Sequence, residues 1–445
     1  MRISFHTLGC KLNYSETSQL RDQYEKLGHE IVPFGNESDA VIINTCTVTE
    51  NADTECRKII RKIQQVSPEA FIGVTGCYAQ LKSHEIASIP GVDAVIGTSD
   101  KLRIDEIISD YSKRNKPELH VSSVDDAIFS FSQSADEDSR TRAFLKIQDG
   151  CDYSCSFCTI PLARGKSRSI DISEIPNRIR QLEEQEYHEI ILSGINLGDY
   201  SHDDSSFIDV LHLIESLDTK ARFRIGSIEP NLVNESILRL IASSNKIVPH
   251  LHMPLQSGSQ SVLKRMKRRY KISSYYDNVI LCKQLMPHAC IGADVIVGFP
   301  GETDQEYEET FTFIEQLPFS YLHVFTYSER DNTPAANYDE SIPMRIRKLR
   351  NARLRALSDA KRHVFYESQI GSSHKVIPES FDESTGLWRG WTENYVRVQF
   401  SGTQFLNMQP YAVQLELYDH VSGTVTSTLL EDPQLNNGYI QLSVI

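Results

Sequence analysis

Apolar runs and amphipathic stretches alternate along most of the chain, and the alternation changes character twice. Near the N-terminus, Ile3-Ser-Phe-His-Thr-Leu8, Ala40-Val-Ile-Ile-Asn-Thr45 and Phe71-Ile-Gly-Val-Thr-Gly76 read as short strands. Between them, Ser15 to Leu27 and Glu50 to Val66 have helical composition and apolar spacing. Strands alternating with helices predict a doubly wound α/β domain over 1–112, its parallel strands ending on one edge. Residues 113–140 are polar and aperiodic, include Ser130-Phe-Ser-Gln-Ser-Ala-Asp-Glu-Asp-Ser139, and read as a linker. Over 141–369 the alternation resumes, with candidate strands Ala143–Ile147, Glu189–Ser193, Arg222–Ile228, Pro249–Met253, Ile291–Gly298 and Tyr321–Phe325. Six βα units predict a partial (βα)6 barrel with its chemistry at the strand carboxyl ends. Its last helix, Met344 to Glu367, offers Ile346, Leu349, Leu354, Leu357 and Val364 as a core face. Over 370–445 short alternating runs such as His374-Lys-Val-Ile-Pro378, Tyr395–Phe400 and Ala412–Tyr418 predict a small antiparallel β-barrel.

The cysteines fall where this architecture places chemistry. Cys151, Cys155 and Cys158 follow the first barrel strand in a loop too short to fold alone. Thiolates at such spacing hold iron–sulfur clusters. Three ligands on a four-iron cluster leave one iron open, as a catalytic metal requires. With Phe157 before the last cysteine, the loop resembles the radical S-adenosylmethionine (SAM) superfamily, in which SAM takes that position. A closed zinc site is the alternative, but Lys146 to Tyr187 holds no further Cys or His to complete one. Cys10, Cys46 and Cys77 each end one N-terminal strand, which brings three distant thiols to one rim, as a second three-thiolate site needs. Buried core cysteines are the bland alternative. Cys56, Cys282 and Cys290 read as structural.

Length and charge narrow the setting. A chain of 445 residues exceeds one core. No apolar run approaches the roughly 20 residues that span a bilayer, and no signal peptide pattern opens the chain, so a cytosolic, thiol-reducing location is expected. The net charge of −14 argues against nonspecific coating of nucleic acid. Basic residues nevertheless cluster at Lys264 to Lys271 and at Arg345 to Arg355, where a solvated helix face is the plain reading of each run alone.

With both triplets placed, the whole chain resembles the radical SAM methylthiotransferase family. The strings that carry the resemblance in the first domain are Thr7-Leu-Gly-Cys10-Lys-Leu-Asn13, Asn44-Thr-Cys46-Thr-Val-Thr49 and Thr75-Gly-Cys77-Tyr-Ala-Gln80. The central one is Gly150-Cys-Asp-Tyr-Ser-Cys-Ser-Phe-Cys-Thr-Ile-Pro-Leu-Ala-Arg-Gly165. Gly390-Trp-Thr-Glu-Asn-Tyr-Val-Arg397 is similar to the family's RNA-binding barrel, TRAM. Cys10-Lys-Leu-Asn13 and Met266-Lys-Arg-Arg-Tyr270 are most similar to the branch acting on N6-threonylcarbamoyladenosine in tRNA. The isopentenyladenosine branch and the ribosomal-protein aspartate branch are the alternatives. A two-cluster electron carrier would need neither the six βα units nor the glycine-rich strand ends.

The resemblance implies two 4Fe-4S clusters and SAM. The cluster at Cys151, Cys155 and Cys158 would reduce SAM to a 5′-deoxyadenosyl radical that takes hydrogen from adenine C2. The one at Cys10, Cys46 and Cys77 would hold the sulfur that is methylated and transferred. Implied SAM contacts are Phe157, Ser193, Gly194, Asn196, Ser227, Glu229 and Gln256. Val295 and Ile296, in Asp294-Val-Ile-Val-Gly-Phe-Pro-Gly-Glu302, belong to the adenine-contacting segment. Candidates for RNA contact are Lys267, Arg268, Arg269, Trp391, Tyr395 and Arg397, with at least two of Trp388, Trp391, Tyr395 and Phe400 expected in the barrel core. From His374 to Ile445 three Lys/Arg stand against eight Asp/Glu, which weakens the phosphate grip of that barrel. Implied partners are a tRNA anticodon loop with the target base flipped out, an electron donor such as flavodoxin or ferredoxin, and a sulfur donor; no membrane is involved.

Overall fold

The computed structural model describes residues 1–46, 50–125, 127–136, 139–402 and 408–430; Thr47 to Thr49 of the second cysteine string lie outside it. Its first sheet holds six parallel strands: β1 (Arg2–Thr7), β2 (Glu30–Ile31), β3 (Ala40–Thr45), β4 (Phe71–Gly76), β5 (Ala94–Ile96) and β6 (Glu118–His120), in the order β2-β1-β3-β4-β5-β6. Every residue of β3 and β4 is buried, as parallel strands covered on both faces must be. Helix Glu50–Val66 seats Ile59, Ile60 and Ile63 over Val41, Ile43 and Val74 on one face. On the other, helix Lys11–Lys26 seats Leu20 and Tyr24 over Ile3, Ile42 and Phe71.

The stretch expected as a linker is partly structural. Besides β6 it supplies β7 (Gln133–Asp136), which pairs antiparallel with β8 (Ser139–Lys146). Both are edge strands, whose pairing rests on backbone hydrogen bonds and needs no apolar periodicity.

After the short pair β9 (Gln148–Asp149) and β10 (Arg168–Ser169), and the small hairpin β12 (Ser201–His202) with β13 (Ser205–Ser206), the central strands are β11 (Glu189–Ser193), β14 (Arg222–Ile225), β15 (His250–His252), β16 (Cys290–Val297) and β17 (Tyr321–Thr326). β8, β11 and β14 run parallel, as do β15, β16 and β17. Single bridges at Phe223–Ile247 and Ser227–His252 join the two groups into one open barrel wall. Leu192, Ile225, Leu251, Ala293 and Val295 point outward into the core beneath the helices. Their neighbours Arg224, His252, Asp294 and His323 therefore face the lumen.

Helix Met344–Glu367 lies across β17 on only part of the apolar face that its sequence suggests: Leu354 is buried and Leu357 packs against the core. Leu349 and Val364 are exposed, at 59% and 65%. The buried face is Arg347, Arg350, Leu354, Ser358, Phe365 and Tyr366. Arg350 pairs with buried Glu302 at 2.6 Å and Arg347 with Glu329 at 2.5 Å, so two arginines of the second basic run turn inward.

The C-terminal strands β18 (Ser373–Asp382), β19 (Leu387–Thr392), β20 (Arg397–Ser401), β21 (Tyr411–Asp419) and β22 (Thr424–Leu429) close a five-stranded barrel. Trp388 and Phe400 fill its core with Val376, Val398 and Val413. This barrel docks under the amino ends of the central strands. Buried Glu189 accepts from Arg222 at 2.5 Å and Arg224 at 2.8 Å. The same guanidiniums donate across the interface to the carbonyls of Lys375 (2.8 Å), Trp391 (3.0 Å) and Glu393 (3.1 Å).

Candidate metal centres and the chamber between them

β8 delivers the loop of Cys151, Cys155 and Cys158 to the carboxyl end of the central barrel. The loop is held by its neighbours rather than by a core of its own. Ser156 donates its N–H to the Met266 carbonyl (3.0 Å) and its hydroxyl to that of Arg265 (2.8 Å). Phe157 packs against the buried group of Val262, Met266 and Phe299. Burial pushes the Cys151 thiol up to about 11 and that of Cys158 to about 12. Both stay neutral near pH 7 until a metal displaces their protons. Arg268 reaches in from the basic segment, donates to Cys155 Sγ at 3.1 Å and pairs with Glu229. Its place in a basic run suggests an RNA contact, but its side chain is 3% exposed and serves the thiol loop instead.

The second triplet sits at the ends of β1, β3 and β4. Gly9, at φ +113°, has no room for a side chain: a Cβ there would lie 2.4 Å from that of Cys46. Gly76, at φ +99°, would place one 2.3 Å from the Thr45 carbonyl oxygen. Both glycines let the strand ends close, which sets Cys46 between Cys10 and Cys77. Cys46 and Cys77 are buried, and Cys10 reaches solvent at the lip of the crevice. Desolvation still pushes the Cys10 thiol up, and the Arg164 guanidinium opposes it.

Arg164, in the helix just after the first thiol loop, joins the two sites. Fully buried, it donates to Asn13 Oδ1 (2.8 Å), Glu16 Oε1 (2.9 Å) and Asp149 Oδ1 (3.0 Å), while its Nε has no partner. Lys101 pairs with Glu16 at 2.5 Å, and Lys146 and Arg168 with Asp149 at 3.3 and 3.2 Å. Burial alone would raise both carboxyls. The surrounding cations more than reverse this and hold them well below the usual range. The network thus sets four cations (Lys101, Lys146, Arg164, Arg168) against two carboxylates (Glu16, Asp149), a buried surplus of positive charge beside Cys10 and Cys77. Such a surplus calls for an anion, which thiolates at Cys10 and Cys77 would supply if they held a metal.

A single zinc fits neither triplet as it stands. With Zn–S near 2.3 Å, tetrahedral zinc needs sulfurs within about 4 Å of each other. Among the described residues, the ligand atoms that gather within 4.8 Å belong to His252, Asp294 and His323, and to His363, Glu367 and His420. Neither thiol triplet is gathered that closely. No helix among the described residues is long and apolar enough to cross a membrane.

Two family descriptions match the chain: "Uncharacterized protein family UPF0004" over residues 2–97 and "Radical SAM superfamily" over 145–314. A threonylcarbamoyladenosine tRNA methylthiotransferase of Bacillus subtilis is 40% identical over 90% of this chain and 91% of its own length. The protein so named from Aquifex aeolicus is 35% identical over 90% and 97%. This chain belongs to the threonylcarbamoyladenosine tRNA methylthiotransferases. A tRNA-2-methylthio-N(6)-dimethylallyladenosine synthase of Staphylococcus epidermidis is more distant, at 31% over 89% and 79%. The fold is also that of the radical SAM methyltransferase TsrM of Kitasatospora setae, at TM-score 0.55 and 14% identity over 75% of this chain and 77% of that one.

In this methylthiotransferase the residues expected to contact SAM line the upper wall of the open barrel, with one exception. The Gln148 side-chain oxygen accepts from the N–H groups of Ile195 and Asn196, both at 2.9 Å, and shapes the turn of Ser193 and Gly194. Asn196 is buried, and its Nδ2 has no partner, which leaves an N–H for a ligand. Glu229, Ser227, Gln256 and Ile296 follow around the rim. Gln256 is held at φ +62° by backbone bonds to Asp294 (2.8 Å) and Ile296 (2.9 Å). Val295 is the exception: its side chain is fully buried on the helix side, so it can meet a ligand only through its backbone.

The residues expected to contact RNA divide. Lys267 and Arg269 are exposed near the thiol loop, with Arg269 lying over the Tyr153 ring at 4.0 Å. Arg397 is exposed on the C-terminal barrel, and half-buried Trp391 stacks on the Tyr395 ring at 4.5 Å. Tyr395 instead packs under the central barrel, 4.8 Å from the His250 ring and beneath Arg224. Sequence reasoning missed Arg164 and Glu16. Arg164 stood in the central string, but nothing local tied it to a partner 148 residues away.

Proposed function

We infer that this protein adds a methylthio group to adenine C2 of N6-threonylcarbamoyladenosine next to the anticodon of tRNA, with two 4Fe-4S clusters and SAM. Cys151, Cys155 and Cys158 would hold the SAM-binding cluster, and Cys10, Cys46 and Cys77 the second. The observation that carries this reading is Arg164, which ties the thiol loop of one domain to the residues behind Cys10 in the other and brings a surplus of buried positive charge. When bound, the clusters and SAM supply the electron, the hydrogen-abstracting radical and the sulfur, chemistry beyond any side chain.

The chain's own part is placement. Each triplet supplies three thiolates and leaves one iron position for a ligand not drawn from the protein. Arg268 fixes Cys155 and holds Glu229 toward the SAM site, where Asn196 Nδ2 offers its unused N–H. Arg164 Nε offers another beside Cys10 and Cys77. Phe157 and the apolar group around it keep water from the loop. The reaction further needs a one-electron donor such as flavodoxin or ferredoxin, a sulfur source, and a reducing cytosolic setting.

Nucleoside mass spectrometry of tRNA from cells with and without the gene tests the assignment. Loss of the methylthio nucleoside, with its unmethylthiolated precursor accumulating, is expected. Unchanged tRNA would overturn it. Alanine replacement of either cysteine triplet should halve the iron bound by the anaerobically reconstituted chain; no loss on replacing Cys10, Cys46 and Cys77 would remove the second cluster.

A further inference from the structure

The lumen of the central barrel holds a polar cluster that the cluster and SAM sites do not use. His252 on β15, Asp294 on β16 and His323 on β17 all face inward, with ligand-capable atoms within 4.8 Å of one another. His252 Nδ1 lies 3.4 Å from the Ser227 hydroxyl, while its Nε2, 3.2 Å from an Asp294 oxygen, makes no hydrogen bond with it. Below them Arg224, His250, Tyr321 and Tyr395 close the floor, with His250 bonded to the Tyr321 hydroxyl at 3.0 Å. Above them lie Glu229 and Arg268, and beyond those Cys155. Residues facing the lumen of a closed barrel are packed. Here the wall is open at β17: His323 is exposed and its inward neighbour Phe325 is 44% exposed. The cluster is therefore a polar wall on a chamber that solvent reaches.

We propose that His252, Asp294 and His323 recognise the threonine end of the modified base, the imidazoles donating to its carboxylate and Asp294 accepting from its hydroxyl or urea N–H. This rests on the threonylcarbamoyladenosine reading and adds how that base is told from its apolar counterpart. An isopentenyl chain in the same place would leave two imidazoles and a carboxylate facing hydrocarbon. Sites built to hydrogen-bond a substrate reject analogues that cannot reciprocate far more strongly than apolar pockets reject an added polar group.

The test uses the full reconstituted chain and an anticodon stem-loop RNA. Turnover is compared on the threonylcarbamoyl substrate and on the same RNA with the threonine carboxylate replaced by a carboxamide. The amide should cost the unaltered enzyme on the order of 10–100-fold in kcat/KM, mostly through KM, the range of a hydrogen bond to a charged group. His323→Gln should lose a similar factor on the natural substrate and show an amide penalty of only a few-fold. His252→Gln is the second variant, with the same expectation. A full amide penalty in both variants would overturn the assignment, as would a non-iron metal bound stoichiometrically at these residues. If the unaltered enzyme fails to turn over the threonylcarbamoyl RNA at all, it is the proposed function that falls.

Discussion

Arg164 shows how much a single residue decides here. Its guanidinium satisfies Glu16, Asp149 and Asn13 at once, in a place where no water competes. Removing it leaves buried acceptors of Asn13, Glu16 and Asp149 without that donor, a loss on the order of 3–5 kcal/mol. Arg164→Ala should lose that much stability in urea denaturation of the full chain. It should also take up less iron at the Cys10 site. Arg164→Lys keeps the charge but not the planar fork that meets three acceptors, so it should recover only part of either loss. Equal stability of Arg164→Ala and the unaltered chain would contradict the network. The placement of the six thiols, three in one loop and three at strand ends, was legible because short spacing and strand ends are both written in the local sequence. Arg164 and Arg268 were not, because an ion pair between distant residues leaves no local pattern. Arg268 stands in a run of cations that reads as a solvated face, and only the fold shows it turned toward Cys155.

Elements that obey local rules carry their signal in a few adjacent residues. Helix Asp304–Gln316 opens with Thr303 and Glu306 in reciprocal capping, Glu306 accepting the Thr303 N–H at 2.9 Å. Glu306 also takes both arms of Arg265, at 2.8 and 2.7 Å, and so ties this helix to helix Gln260–Arg265 behind the thiol loop. Arg265, with the Ser261 and Thr303 donors, holds the Glu306 carboxyl at about 2, against an ordinary 4.5. A carboxyl depressed by folding contributes stability that is present above its unfolded value and lost as pH falls through its folded one. Glu306→Gln should cost about 1–2 kcal/mol near neutrality. The gap from the unaltered protein should narrow between pH 4.5 and about 2, read from urea midpoints at each pH. A gap independent of pH would mean that the charge contributes nothing. Helix Met344–Glu367 defeated the same kind of reading. Leu349 and Val364 of its expected apolar face point outward, while Arg347 and Arg350 bury themselves on acidic partners that periodicity does not register.

At the scale of the molecule, the domain order and fold classes were legible from changes in hydrophobic period, but the way the domains meet was not. The C-terminal barrel docks beneath the central one through Glu189, Arg222 and Arg224, with Tyr395 in the seam, and so its aromatic string serves partly as an interface. This bears on where RNA can lie. With a net charge of −14, most of the surface repels phosphate. The second basic run has given Arg347 and Arg350 to the interior, and Arg353 is paired with Glu308. Lys267 and Arg269 remain exposed beside the thiol loop, where on the proposed function a flipped base would enter. Each phosphate contact contributes roughly one unit to the slope of log affinity against log salt for folded RNA, somewhat less for single strands. Lys267→Ala and Arg269→Ala should each weaken tRNA binding several-fold and flatten that slope by about one. Arg397→Ala, on the acidic C-terminal barrel, should do less. Filter binding over a salt series measures all three. If Arg397 alone moves the slope, RNA is gripped by the C-terminal barrel and approaches from the floor side, and the substrate base would have to reach the chamber around the open edge at β17 rather than past the thiol loop.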